Sequence, residues 1–168
     1  AAPPGVAADF SATPRVGRPP LAVQFTDAST GSITSWVWSF GDGGTSTTRN
    51  PAHQYTTEGN YTVSLIVIGP NGTDTETKAN YVQVVKAPVA AFSSSPTSGA
   101  PPLSVLFADE STGVVTGWAW EFGDGDTSTV QSPAHQYATA GTYTVRLTVT
   151  GPGGSNTATQ SDLIQVSR

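Results

Sequence analysis

Apolar and polar residues alternate along short runs, and the runs recur in the same order. In "LAVQF" (21–25), Leu21, Val23 and Phe25 fall on one side and Ala22 and Gln24 on the other. That is the period of a strand with one buried face. In "WVWSF" (36–40), Trp36, Trp38 and Phe40 share a face, and in "YTVSLIV" (61–67), Tyr61, Val63, Leu65 and Val67 do. A last run carries Tyr81, "VQVV" and Lys86. Between the runs stand "TGS", "GDGG", "TTEGN" and "GPNG", which are turn chemistry. No stretch has a helical period of useful length. About seven short strands, with turns every eight to twelve residues or so, predict an all-β fold of the immunoglobulin-like β-sandwich type.

The whole pattern is written twice. "WVWSFGDG" at 36–43 returns as "WAWEFGDG" at 118–125, 82 positions later, and "PAHQY" at 51–55 returns at 133–137. "YTVSLIV" at 61–67 returns as "YTVRLTV" at 143–149. Roughly half of all positions repeat at this offset without a gap, the mark of a duplicated unit. Some 80 residues are enough to bury a core without staples. The chain is therefore expected to hold two tandem domains, 7–86 and 87–168, after a flexible N-terminal tail at 1–6. Pro88 sits in the short connection between the last strand of one copy and the first of the next. Its fixed φ stiffens that link, which predicts a semi-rigid pair.

Composition narrows the function. Of 168 residues 11% are charged, and the formal net charge is −5 with seven Lys and Arg in all. A phosphate-binding face needs clustered cations, so nucleic acid is not an expected partner. No apolar run approaches the roughly 20 residues that cross a bilayer as a helix, so no membrane insertion is expected. The absence of Cys removes disulfides, a thiol nucleophile and cysteine metal clusters.

The candidate chemistry is sparse. Trp36, Trp38 and Phe40, with Trp118, Trp120 and Phe122, read as core filler or as a platform for sugar rings. Burial is the stronger expectation for Trp38 and Trp120, because Trp36 and Trp118 sit nearer the strand start. Asp42 and Asp124 lie in "GDG" turns, where Gly supplies positive φ and the carboxylate accepts backbone N–H bonds. "DGDTS" (124–128) resembles part of a calcium loop, making Asp124 and Asp126 the metal candidates. Gly44 replaces the second acid in the first copy. His53 and His135 occupy equivalent places and are expected to make structural hydrogen bonds. No nucleophile elbow or phosphate loop is present, and the expectation is a chain that is no enzyme and holds no cofactor.

"W-x-F-G-D-G", then "P-A-H-Q-Y", then "G-x-Y-T-V-x-L", preceded in both copies by "P-P-L-x-V-x-F-x-D-x-S-T-G", resembles the polycystic kidney disease (PKD) domain. The resemblance spans both copies. It implies an extracellular or cell-surface β-sandwich, often in tandem, that makes protein–protein or protein–carbohydrate contacts, acts as a spacer, or accompanies secreted hydrolases. It supplies no catalytic residue. Some relatives beside collagenases bind calcium through D-x-D-G-x-I, where this chain reads "ASTGSI" (28–33) and "ESTGVV" (110–115).

The copies differ in telling places. The outward side of the "YTVxLxV" strand reads Thr62, Ser64, Ile66, Ile68 in the first copy and Thr144, Arg146, Thr148, Thr150 in the second. Ile66 and Ile68, with Val37 where the second copy has Ala119, are therefore interface candidates. Asn60 and Asn71 begin N-glycosylation triplets whose counterparts, Thr142 and Gly153, do not. Both are expected in exposed turns. The primary functional expectation is a structural or adhesive segment of a stalk, sheath or filament. Its partners would be copies of itself or neighbouring repeats. The alternative is an accessory module of a secreted hydrolase that binds collagen or glycan.

Overall fold

The computed structural model describes residues 5–168. The chain divides into two compact units after Val85. In the first, the strands are β1 (Phe10–Thr13), β2 (Val16–Gly17), β3 (Leu21–Asp27), β4 (Ser35–Ser39), β5 (Thr45–Ser46), β6 (Ala52–Tyr55), β7 (Gly59–Gly69) and β8 (Gly72–Val84). The second repeats this as β9 (Phe92–Ser95), β10 (Ser98–Gly99), β11 (Leu103–Asp109), β12 (Gly117–Glu121), β13 (Thr127–Ser128), β14 (Ala134–Tyr137), β15 (Gly141–Gly151) and β16 (Gly154–Val166).

Each unit has a three-stranded sheet (β1-β3-β6; β9-β11-β14) and a five-stranded sheet (β2-β8-β7-β4-β5; β10-β16-β15-β12-β13). The first strand of each unit changes sheets: β1 runs antiparallel to β3, whereas β2 runs parallel to β8. Counting β1 and β2 as one interrupted strand gives the expected seven. The last strand stops at Val84, so Val85 and Lys86, read as its end from sequence, fall in the connection. The expected tail lies mostly outside the described residues, and within it Val6 packs against the core.

The alternation seen in sequence is the alternation of burial. β3 reads buried at Leu21, Val23 and Phe25 and exposed between them. Trp38 and Trp120 are fully buried at 0% exposure. Around Trp38 stand Phe10 and Phe25, with ring centroids at 5.2 and 5.6 Å. A buried indole N–H needs a partner, and it finds one: Trp38 Nε1 donates to the Thr48 carbonyl at 2.9 Å, and Trp120 Nε1 to that of Val130 at 3.0 Å. Tyr55 and Tyr137 likewise are buried and donate to the carbonyls of Phe40 and Phe122, both at 3.0 Å. Burial pushes both phenol pKa values up.

Candidate functional site

The repeated "GDG" turn is a knot between the two sheets. Gly41 stands at φ +87, and a Cβ there would lie 2.4 Å from the Thr62 carbonyl oxygen, so the turn closes onto β7 only through a glycine. Asp42 Oδ1 accepts the Gly44 N–H at 2.9 Å, the expected turn bond. Asp42 Oδ2 lies 2.7 Å from His53 Nε2. The imidazole stacks on Phe40 with centroids 4.2 Å apart and meets Tyr55 edge-on at 4.7 Å. The second copy reproduces the set: Asp124 with the Asp126 N–H at 3.1 Å and His135 Nε2 at 2.7 Å, and His135 stacked on Phe122 at 4.2 Å. Partial burial raises both carboxyl groups. The hydrogen bond from the histidine and the backbone N–H outweigh it and hold each below its ordinary value.

The expected structural bond of the histidines is present, and its partner is the turn aspartate. Sequence reading missed that pairing. The signal was available, since Asp42 and His53 recur as Asp124 and His135 at one spacing. Asp124, Asp126 and His135 place ligand atoms within 4.8 Å of one another. A depression of about 350 Å³ lined by Glu121, Gly123, Gly125, Asp126 and Thr127 adjoins them. Both Asp124 oxygens are already engaged.

A second polar anchor lies beneath Trp36 and Trp118. Asp27, whose side chain is 0% exposed, accepts the Ser29 N–H and the Arg49 Nε–H, each at 3.0 Å. The Arg49 guanidinium stands 5.5 Å from the Trp36 ring. Trp36 Nε1 is buried and helps keep the Asp27 carboxyl ionised, yet it makes no hydrogen bond of normal geometry. In the second copy Asp109 Oδ2 accepts Trp118 Nε1 at 2.7 Å and the Gln131 amide at 3.1 Å. Both tryptophans are half-buried and packed on their cores.

The interface candidates occupy a regular grid. In the five-stranded sheet Ser35, Val37 and Ser39 of β4 face Ile68, Ile66 and Ser64 of β7, which face Thr73, Thr75 and Thr77 of β8. None of the nine is charged. Val37 is 38% and Ile66 36% exposed, whereas Ile68 is half-buried. The same grid in the second copy reads Gly117, Ala119, Glu121; Thr150, Thr148, Arg146; Ser155, Thr157, Thr159, with an Arg146–Glu121 contact at 3.4 Å. Of the glycosylation candidates, Asn71 is exposed in the turn between β7 and β8 as expected. Asn60 is exposed but is the second residue of β7, paired with Gln83, not a turn residue. The preceding "TTEG" ends one residue sooner because Gly59 already pairs with Val84.

Two sheets, antiparallel except for the β2–β8 and β10–β16 pairs, packed over a central tryptophan define an immunoglobulin-like β-sandwich. Murine CEACAM1b shares that fold with a TM-score of 0.56 at 12% identity, over 97% of this chain and 100% of that one, a likeness of fold alone. The chain belongs to the PKD domain family, which matches residues 1–84 and again residues 85–166. The PKD1 domain from Vibrio cholerae metalloprotease PrtV is 38% identical, covering 49% of this chain and 99% of that one, with a TM-score of 0.42. Collagenase ColQ1 of Bacillus cereus (strain Q1) is 48% identical over 48 residues, 29% of this chain and 5% of that protein. Collagenase ColA of Clostridium perfringens (strain 13 / Type A) is 32% identical over 106 residues, 62% of this chain and 10% of that protein. The aligned segments are thus a small fraction of the two collagenases' length. Among the described residues no helix is long and apolar enough to cross a membrane.

Proposed function

We propose that this pair of PKD domains is a non-catalytic, extracellular structural or adhesive module that works through protein contacts. The carrying observation is the uncharged grid on the first domain. A chain of net charge −5 repels its own copies through most of its surface, and this face can meet a like face without opposing charges. Its apolar members are not demanded by the fold, because the second domain carries Ala119, Thr148 and Thr150 in their places. Nine residues are fewer than the roughly 20–30 a side of a standard interface, so single contacts are weak and gain strength by repetition. Self-association in a stalk, sheath or filament is the reading this supports. Glycans on Asn60 and Asn71 would decorate the same domain.

The test exchanges the faces. Val37→Ala, Ser39→Glu, Ser64→Arg, Ile66→Thr and Ile68→Thr install on the first domain residues that the second already holds in register. Sedimentation equilibrium over a wide concentration range is expected to show weak association of the parent chain and its loss in the exchanged one. Equal behaviour of both would overturn the reading.

A second reading rests on the relatives, which carry the names collagenase and metalloprotease. In it the pair is an accessory module that helps a hydrolase hold collagen or polysaccharide. Co-sedimentation with insoluble collagen, kept by the exchanged chain, would favour it over the first.

A further inference from the structure

The chain has five asparagines: Asn50, Asn60, Asn71, Asn80 and Asn156. They differ in the residue that follows. Pro51 succeeds Asn50 and has no N–H to react. Asn60 and Asn156 lie in strands, next to Tyr61 and Thr157. Asn80 precedes Tyr81. Asn71 alone precedes a glycine. It is exposed at the tip of the β7–β8 hairpin, in a turn closed by the Gly69–Gly72 pair. Gly72 has φ +132, and nothing lies within 4 Å of where its Cβ would stand. Its backbone nitrogen is thus unshielded on the side a side chain would cover.

We propose that Asn71 is a site of spontaneous deamidation through a succinimide, in chains where its amide carries no sugar. The Gly72 backbone nitrogen gives up its proton and attacks Asn71 Cγ. The N–Cγ bond forms, the Cγ–Nδ2 bond breaks, and ammonia leaves with the proton. Water then opens the five-membered ring. Cleavage of the new N–Cγ bond gives aspartate, and cleavage of the original peptide bond gives isoaspartate, whose backbone runs through Cβ and Cγ. The net change is amide plus water to acid plus ammonia, with no redox step.

Two features sharpen the assignment. Asp42–Gly43 and Asp124–Gly125 carry a related aspartate–glycine signature, but their carboxylates are clamped by a backbone N–H and a histidine. They are also held ionised, and an ionised carboxylate is a poor electrophile. The second feature is chemical exclusion: an N-linked sugar occupies the nitrogen that must leave. Glycosylation and deamidation at Asn71 are therefore alternatives, and the first protects against the second. The product adds one negative charge beside the Ile68–Thr73 end of the uncharged grid.

The experiment incubates the full chain, made in a host that adds no N-glycans, at neutral and mildly alkaline pH in water enriched in heavy oxygen. Peptide mapping by mass spectrometry then reads heavy-oxygen incorporation at each asparagine. The expected result is conversion at Asn71 to a mixture of aspartate and isoaspartate, faster at the higher pH, with the other four lagging. Gly72→Ala is expected to lose most of that conversion. Because φ +132 strains an alanine, Asn71→Gln is the companion variant. It keeps Gly72, needs a larger ring to react, and is expected to lose the conversion with the hairpin intact by amide spectra. Conversion of Asn71 no faster than that of Asn60 or Asn156, or undiminished conversion in Gly72→Ala, overturns the proposal.

Discussion

The two domains share an interior and differ in their dress. Around the central tryptophan the rings coincide: Phe40–His53 and Phe122–His135 both stack at 4.2 Å, and Tyr55–Tyr61 and Tyr137–Tyr143 stand at 4.4 and 4.5 Å. Outside, the same structural task is done by different chemistry. Lys78 Nζ donates to the Phe10 carbonyl at 2.5 Å and pairs with Asp9, while lying over the Phe10 and Tyr81 rings. In the second domain the Gln160 amide donates to the equivalent Phe92 carbonyl at 2.8 Å, and Leu163 takes the place of Tyr81. The sandwich needs a donor at that carbonyl. It does not need a charge, so the charge is free to vary. The same holds for Val37, Ile66 and Ile68 against Ala119, Thr148 and Thr150.

The largest expected effect tests whether the interiors are equivalent. Trp38→Ala removes the central filler and orphans the Thr48 carbonyl, and should cost the first domain about 3–5 kcal/mol. Trp120→Ala should cost the second domain the same. Differential scanning calorimetry of each variant is expected to show one domain's transition moved far down and the other's held. If one substitution is tolerated, or both transitions fall together, the domains are not the independent equals their matching ring distances indicate.

That equivalence was largely legible in sequence, for a physical reason. A strand writes its buried face at period two, and a duplicated chain writes it twice, so Val23, Trp38 and Leu65 were marked as core by pattern alone. The polar anchors were not. Asp27 and Arg49 meet across 22 positions, and Asp9 and Lys78 across 69. No local period encodes such meetings. Asn60 was misplaced because "TTEGN" reads as turn chemistry throughout, whereas pairing with Gln83 extends β7 into it. The outward grid was half legible: the contrast of Ile66 with Thr148 marked it, but its lack of charge depends on the register with β8.

Acid should treat the two domains alike. Asp42 and Asp124 have depressed pKa values, as have Asp27 and Asp109, where burial is outweighed by the bonds from Ser29 and Ser111 and by their other donors. A depressed carboxyl contributes stability above its unfolded pKa, about 4, and loses it as pH falls through the folded value. Both transitions should therefore hold near neutrality and drop below about pH 4. The first domain has one more depressed group, Asp9. It is solvent-exposed, so salt screens its pairing with Lys78 and little asymmetry should result. His53→Ala leaves Asp42 Oδ2 without its partner and removes a stacked ring, and should cost about 1–3 kcal/mol at neutral pH. It should also shrink the acid loss in the first domain only. An unchanged acid limb in His53→Ala would mean that Asp27, not Asp42, carries it.

The smallest expected effect isolates the sharpest local difference between the copies. Arg49 occupies Asp27 Oδ2 and Trp36 Nε1 makes no hydrogen bond of normal geometry, while at the equivalent carboxylate Gln131 and Trp118 Nε1 share one oxygen. An exposed arginine on a carboxylate contributes at most about 1 kcal/mol, and its contact with the indole face a similar amount. Arg49→Gln should therefore change stability by less than about 1 kcal/mol, because the indole N–H gains the bond that the guanidinium gives up. The readout is the Trp36 indole N–H resonance, expected to move toward that of Trp118. Gln131→Arg should move Trp118 the opposite way. If Trp36 stays unbonded beside a glutamine, the side chain at 49 is not what keeps it so. The cause would then lie in how β4 enters the sheet at Ser35, where Gly117 stands in the other domain.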